Sequence, residues 1–199
     1  MDAALLSVLI FFGVLVALLL WGVVTYNKLI RMRNRADALW AAIDVQLKRR
    51  HDLIPNLVHA VEGYATHERG TLDEVTDART QAMQAKSVAD QAKAENLLTG
   101  ALSRLLANVE QYPQLKAEGD FQRLEQQLAD LERVIAMSRD AYNLTVQAYN
   151  NNVMTIPTKV VAWFMSFEKL EYLVAADAER IVPEVDVELP AVPSSPLAG

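Results

Sequence analysis

An uninterrupted apolar run at residues 3–26 (AALLSVLIFFGVLVALLLWGVVTY) constrains this chain more than any other stretch. About 20 apolar residues in a helix cross the hydrocarbon core of a bilayer. Inside that core a helix satisfies every backbone amide and carbonyl locally. The run is therefore expected to be a retained membrane anchor. A cleaved signal would carry a basic stretch before the run and a small-residue cleavage site after it, and neither is present. Trp21 and Tyr26 mark the end where the chain leaves the lipid, a level that suits amphipathic rings. Lys28, Arg31, Arg33 and Arg35 come directly after it, against only Met1 and Asp2 on the other side. Positive residues stay on the cytoplasmic side, so the N-terminus is expected outside and the body of the protein inside. The same basic cluster would meet anionic lipid headgroups.

The rest of the chain reads as all-α. After Asn27 no Gly or Pro occurs before Pro55, and apolar residues recur at Leu29, Met32, Ala36, Leu39, Ile43 and Leu47, then at Ile54, Leu57 or Val58, Val61 and Ala65. That spacing is a helix burying one stripe, so the anchor is expected to continue into a stalk with a kink at Pro55. Gly63 and the stretch 66–70 break it. A second long helix is expected over 71–112, opened by a Thr71/Glu74 capping box. Its seam runs Val75, Ala78, Ala82, Ala85, Ala89, Ala92 and on to Leu98, Leu102, Leu105 and Val109. A third is expected over 120–155 with the seam Phe121, Leu124, Leu128, Leu131, Ile135, Ser138, Tyr142, Thr145, Tyr149, Asn152, Ile156, apolar in its first half and polar-aromatic in its second. Pro157 stops it; the apolar stretch 159–167 (KVVAWFMSF) and a short helix over 168–180 complete the fold. The expected division is a membrane anchor at 1–26, an antiparallel helical bundle at 27–180 and a Pro-rich acidic mobile tail at 181–199.

Two blocks of this sequence resemble those of the LemA family of bacterial membrane-anchored helical proteins. The first is Tyr26-Asn27-Lys28-Leu29-Ile30 with Arg33-Asn34-Arg35 and the stretch 40–68; the second is Ala141-Tyr142-Asn143 with Ala148-Tyr149-Asn150. The resemblance covers roughly 26–167. It implies a membrane-anchored helical bundle, in a family some of whose members are linked to envelope or internal-membrane organisation, and hence a single-pass protein of the bacterial inner membrane.

Between Leu47 and Ile54 the stripe of the first long helix passes through Arg50 and His51, so one of them is expected on or beside the buried face, where a charge costs several kcal/mol unless it is paired. If the three long helices leave, return to and leave the membrane in turn, His51 and Tyr142 both lie roughly 36 Å from it, at a rise of ~1.5 Å per residue. Arg50 or His51 would then face the polar seam of Ser138, Tyr142, Thr145 and Tyr149, and 159–167 would plug the membrane-distal end. Arg49, Arg50, Trp163 and Phe164 are the candidates for an interaction surface.

Signs of catalytic chemistry are few. Zero Cys removes thiolate ligands and nucleophiles, and a net charge of −6 argues against general nucleic-acid binding. His51, His59 and His67 are spaced by eight residues, about 12 Å along a helix and too far apart for one metal ion. Neither a phosphate loop nor a GxSxG elbow occurs. No cofactor, metal or enzymatic activity is expected. The reading is a membrane-bound scaffold or organiser acting through self-association, with lipid and a second copy as partners. The alternative is an adaptor or sensor subunit for a separate membrane enzyme, protease or signalling system, with Arg50 and His51 as its two-state element.

Overall fold

The computed structural model describes residues 3–64 and 69–173, and among these it is helical with no strand. Helix α1 (Ala3–Glu62) is one 60-residue helix, about 90 Å long at ~1.5 Å per residue. Its two halves differ in surroundings. From Leu5 to Val24 nearly every large apolar side chain is exposed all round the helix, which is stable only where the surroundings are themselves apolar. From Leu29 onward one stripe is buried, through Ala36, Ile43, Leu47, Arg50, Ile54, Leu57 and Val61. The helix runs through Pro55. Proline lacks the N–H that would bond the carbonyl four residues back, and Arg79 replaces it, donating Nε to the His51 carbonyl at 2.7 Å.

The expected second helix is two. Helices α2 (Arg69–Gln84) and α3 (Val88–Val109) fold back on each other as a hairpin. Asn108 Nδ2 donates to Thr71 Oγ1 at 3.2 Å, Arg104 pairs with Glu74, and Gln91 Nε2 donates to the Ala82 carbonyl at 3.2 Å. Thr71 and Glu74 therefore serve the hairpin from inside α2 and do not open it. Ser87 starts α3: extended (φ −112°, ψ 161°), it accepts the Asp90 amide on its hydroxyl, a helix N-cap. The alanine seam does not run as one line. Leu72, Val75, Ala78 and Ala82 are the buried face of α2, and Ala92, Ala94, Leu98, Ala101, Leu102, Leu105 and Val109 that of α3.

The extra reversal changes the direction of the last long helix. After the single turn α4 (Pro113–Lys116), helix α5 (Gly119–Met154) begins at the far end of the bundle and runs back along α1. Tyr64 donates to Glu118 at the far end, Arg50 pairs with Glu132 midway, and Lys28 Nζ donates to Asn152 Oδ1 at 2.9 Å near the apolar half of α1. Helix α6 (Thr158–Phe164) consequently lies beside α1 at its apolar half, and 159–167 does not plug the distal end. A left-handed Ser166 (φ 55°) then turns the chain. Phe167 N bonds the Ala162 carbonyl and Ser166 N the Trp163 carbonyl, the paired bonds of a Schellman ending. Residues 168–173 form an extended strap along α5 where a short helix is expected. The remainder of that expected helix and the expected tail at 181–199 lie outside the described residues.

Three apolar clusters stack along the axis. The far one joins Ile54, Leu57 and Val61 to the α2–α3 hairpin, Phe121 and Leu128. The middle one holds Ala36, Ile43, Leu47, Ala92, Ile135, Tyr142, Val146 and Leu173. The third, toward the apolar half of α1, holds Leu29, Tyr149, Val153, Ala162 and Phe167.

Candidate functional site

Two polar constellations interrupt this apolar interior. The first surrounds Arg50, whose side chain is 1% exposed. Its guanidinium pairs with Glu95 of α3 and Glu132 of α5, and Nη1 also donates to Thr99 Oγ1 at 3.1 Å. His51 Nε2 lies 2.8 Å from Glu95 Oε1, and Gln91 Nε2 donates to the same oxygen at 2.7 Å. With Arg79 on the His51 carbonyl, one cluster ties α1, α2, α3 and α5 together. Burial lowers the Arg50 pKa, opposed chiefly by Glu132; the group stays a cation, as arginine does in proteins. Burial, then the Arg50 and Arg79 cations, pull His51 from 6.5 down to about 4, against Asp52 and Asp44. The Glu95 contact acts in the opposite sense; burial and the two cations outweigh it, and a neutral His51 with its proton on Nε2 donates to Glu95.

The cluster has no space for a substrate. The cavity against Arg50, Glu95, Thr99 and Arg139 measures about 10 Å³, room for one water at most.

The second constellation is a clasp on the strap. Asn150 Nδ2 donates to the Leu170 carbonyl and its Oδ1 accepts the Leu170 amide, both at 2.9 Å. One heptad earlier, Asn143 does the same to Leu173, at 3.0 and 2.9 Å. Each carboxamide thus satisfies one whole residue of extended backbone. Tyr149 donates its hydroxyl to the Glu168 carbonyl at 2.9 Å and Tyr142 to the Glu171 carbonyl at 3.0 Å. Burial raises both phenols first of all and nearby carboxylates add to the effect, against the Arg33 cation at Tyr149, so both remain protonated donors. The repeat has a metric reason. Seven residues of helix advance about 10.5 Å and three of extended chain about 10 Å, so a Tyr-Asn pair repeated every seven residues meets a strap every three. Glu171 carries the strap on to α3 by accepting the Ala89 amide at 3.3 Å.

The residues expected to form one polar seam are divided between these places. Arg50 and His51 lie in the ion cluster, while Tyr142 and Tyr149 hold the strap, and Tyr142 also packs on Trp40 with ring centroids 5.7 Å apart. Ser138 is half-buried, and Thr145 donates to its own helix at Ala141. Arg50 does not face Tyr142, because antiparallel α5 sets Glu132 opposite Arg50 and Tyr142 about ten residues, or roughly 15 Å, nearer the anchor. Arg49, Trp163 and Phe164 are exposed. Missing from the expected set were Glu95, Glu132, Asn143 and Asn150. Glu95 precedes buried Leu98 and Leu102 by three and seven residues, and Glu132 stands between Leu128 and Ile135. Both carboxylates therefore occupy apolar-stripe positions, a readable signal of burial with a partner.

The LemA family profile matches residues 39–187, a span that contains both constellations. The chain belongs to the LemA family. Among its relatives, the magnetosome protein MamQ of Magnetospirillum gryphiswaldense is 26% identical over 88% of this chain and 75% of its own. MamQ 2 of Paramagnetospirillum magneticum is 26% identical over 82% and 71%. Protein LemA of Metamycoplasma hominis is 25% identical over 78% and 71%. Together with an N-terminal helix long and apolar enough to cross a membrane, this makes the chain a membrane-associated LemA protein.

Two outcomes test these constellations. On acidification the unfolded chain protonates His51 near 6.5 and the folded one only near 4. The unfolded state then binds more protons, so stability falls as pH drops through that window. His51→Gln keeps a donor to Glu95 and should remove about 1.6 kcal/mol of the loss between pH 6.5 and 5, because the unfolded imidazole is already half protonated at pH 6.5 and the slope reaches 1.36 kcal/mol per pH unit only below it, as read from urea unfolding of both proteins. Asn150→Ala deletes two neutral hydrogen bonds and should cost about 2 kcal/mol. Hydrogen exchange should show the Leu170 amide losing protection while the α2–α3 hairpin keeps its own.

Proposed function

We propose that this LemA protein is a non-enzymatic scaffold that is anchored in the inner membrane by α1 and organises it by self-association of the bundle. The observation that carries the reading is where the polar and apolar groups lie. The polar groups around Arg50 are paired mostly with one another around about 10 Å³ of space, which supports a structural use of that cluster over a catalytic one. Apolar side chains are instead left on the outside of α5, where Val134, Met137 and Leu144 are exposed at helical spacing. Such a stripe is suited to a second copy packing side by side. The names of the two magnetosome relatives are in keeping with a part in an assembled cell structure. Lys28, Arg31, Arg33 and Arg35 at the end of the apolar half support a cytoplasmic bundle and an N-terminus on the other side. A sensor that reads pH through His51 is less well supported, since that imidazole stays neutral until about pH 4.

Light scattering on the full-length protein, extracted gently from membranes, tests the proposal. A discrete homo-oligomer is expected, and Met137→Asp with Leu144→Asp should reduce it to smaller species without loss of helicity. A monomer in both forms, carrying one stoichiometric unrelated protein, would overturn self-association in favour of an adaptor.

A further inference from the structure

The return of α5 toward the anchor leaves α6 in an unusual place. It lies beside α1 across a groove lined on the α1 side by Leu18, Leu19, Gly22, Val23 and Tyr26, within the stretch that is exposed and apolar all round. Tyr26 and Phe167 pack with ring centroids 5.7 Å apart, which holds the two elements together at the boundary. Leu18 is ten residues before Lys28, so the groove beside α6 extends roughly 15 Å past the first basic residue toward the middle of the span. No charged residue occurs between Val160 and Met165. The side of α6 that faces the bundle contributes Ala162 to the core, while Val160, Trp163 and Phe164 are 62, 80 and 74% exposed, and Ile156 just before it 80%. Lys159 precedes the apolar face and Lys169 comes after it, cations on flexible stems that extend toward headgroups.

We infer that α6 is a second membrane-embedded element, lying in the same leaflet from which α1 emerges, with Trp163 and Phe164 among the acyl chains and a lipid tail filling the groove between α6 and α1. The groove supports this occupant. It has a volume of about 470 Å³, its lining is almost wholly apolar, and it is continuous with the lipid-facing surface of α1. A water-filled groove at that depth would expose apolar surface on both walls. The bundle is thereby fixed to the membrane at two places, α1 and α6. Its long axis can no longer swivel freely about the single helix, and the strap that follows the turn at Ser166 starts near the lipid surface. The inference rests on α1 spanning the bilayer, and the experiment separates the two.

The chain has no cysteine, so single cysteines can be labelled without background. Full-length Val8→Cys, Val160→Cys, Phe164→Cys and Gln126→Cys proteins, labelled with the environment-sensitive dye NBD, are reconstituted in phosphatidylethanolamine–phosphatidylglycerol vesicles. Far-UV circular dichroism checks that each keeps its helicity. Labels at 160 and 164 should emit to the blue, lose emission to lipids carrying a nitroxide on the acyl chain and resist aqueous iodide, as the label at 8 does, while the label at 126 behaves oppositely. If position 8 is in lipid but 160 and 164 are quenched by iodide, the α6 inference fails and the anchor stands. Shielding of 160 and 164 from both quenchers would mean a protein partner or second copy covers α6, and would also overturn it. If position 8 is not in lipid either, the anchor reading fails first and this inference with it.

Discussion

Arg50 carries a fixed positive charge into the middle of the bundle, and Glu95 of α3 and Glu132 of α5 close on it. A buried ion pair adds little stability relative to well-packed apolar residues, but removing one partner is costly. The effect on register is larger than the effect on stability. Sliding α5 by one heptad would bring Arg139 to the place of Glu132 and set two guanidinium groups against each other; in the observed register Arg139 already works against the Arg50 charge. The apolar residues of α1 and α5 alone would tolerate such a slide, since both present a simple helical stripe. The ion cluster does not, and with it α5 is held antiparallel to α1 at one setting. The strap, α6 and their position relative to the apolar half of α1 all depend on that setting.

The clasp uses the setting. Asn143 and Asn150 hold extended backbone by the same pair of bonds that a neighbouring strand would offer, and Tyr142 and Tyr149 take the carbonyls of Glu171 and Glu168. A helix can therefore bind an extended segment without any sheet. Leu170 and Leu173 enter the apolar clusters on the way, so the clasp supplies direction and the leucines supply burial. It also satisfies the backbone amides and carbonyls of Leu170 and Leu173 and the carbonyls of Glu168 and Glu171 in a segment that has no secondary structure of its own.

Much of the architecture was legible in the sequence because apolar periodicity reports burial directly: the apolar half of α1, its stripe from Leu29 to Val61 and the run from Phe121 to Ile135 all stand out. The break at 85–87 did not, since Ala85 and Lys86 are good helix formers and neither Gly nor Pro marks the place. Packing of the small faces of α2 and α3 overrides local preference there, and the one local sign is Ser87 three residues before Asp90. Reading through that break reverses the direction of α5 and sends 159–167 to the wrong end. The same slip set Arg50 opposite Tyr142. The clasp was half visible: the repeated Tyr-Asn pair stood out as a motif, but its partner is backbone, which no side-chain pattern announces.

The direction of α5 along α1 is the point on which the whole arrangement turns, and a distance measurement decides it. Spin labels on Lys28→Cys with Asn152→Cys, and on Lys28→Cys with Asp120→Cys, in full-length protein in lipid nanodiscs, report the two ends of α5 by pulsed electron paramagnetic resonance. The structure predicts a short distance for the first pair and one of roughly 48 Å for the second, from 32 residues of helix at ~1.5 Å each. A short distance for 28 with 120 and a long one for 28 with 152 would contradict the antiparallel bundle, and with it the position of α6 beside the span.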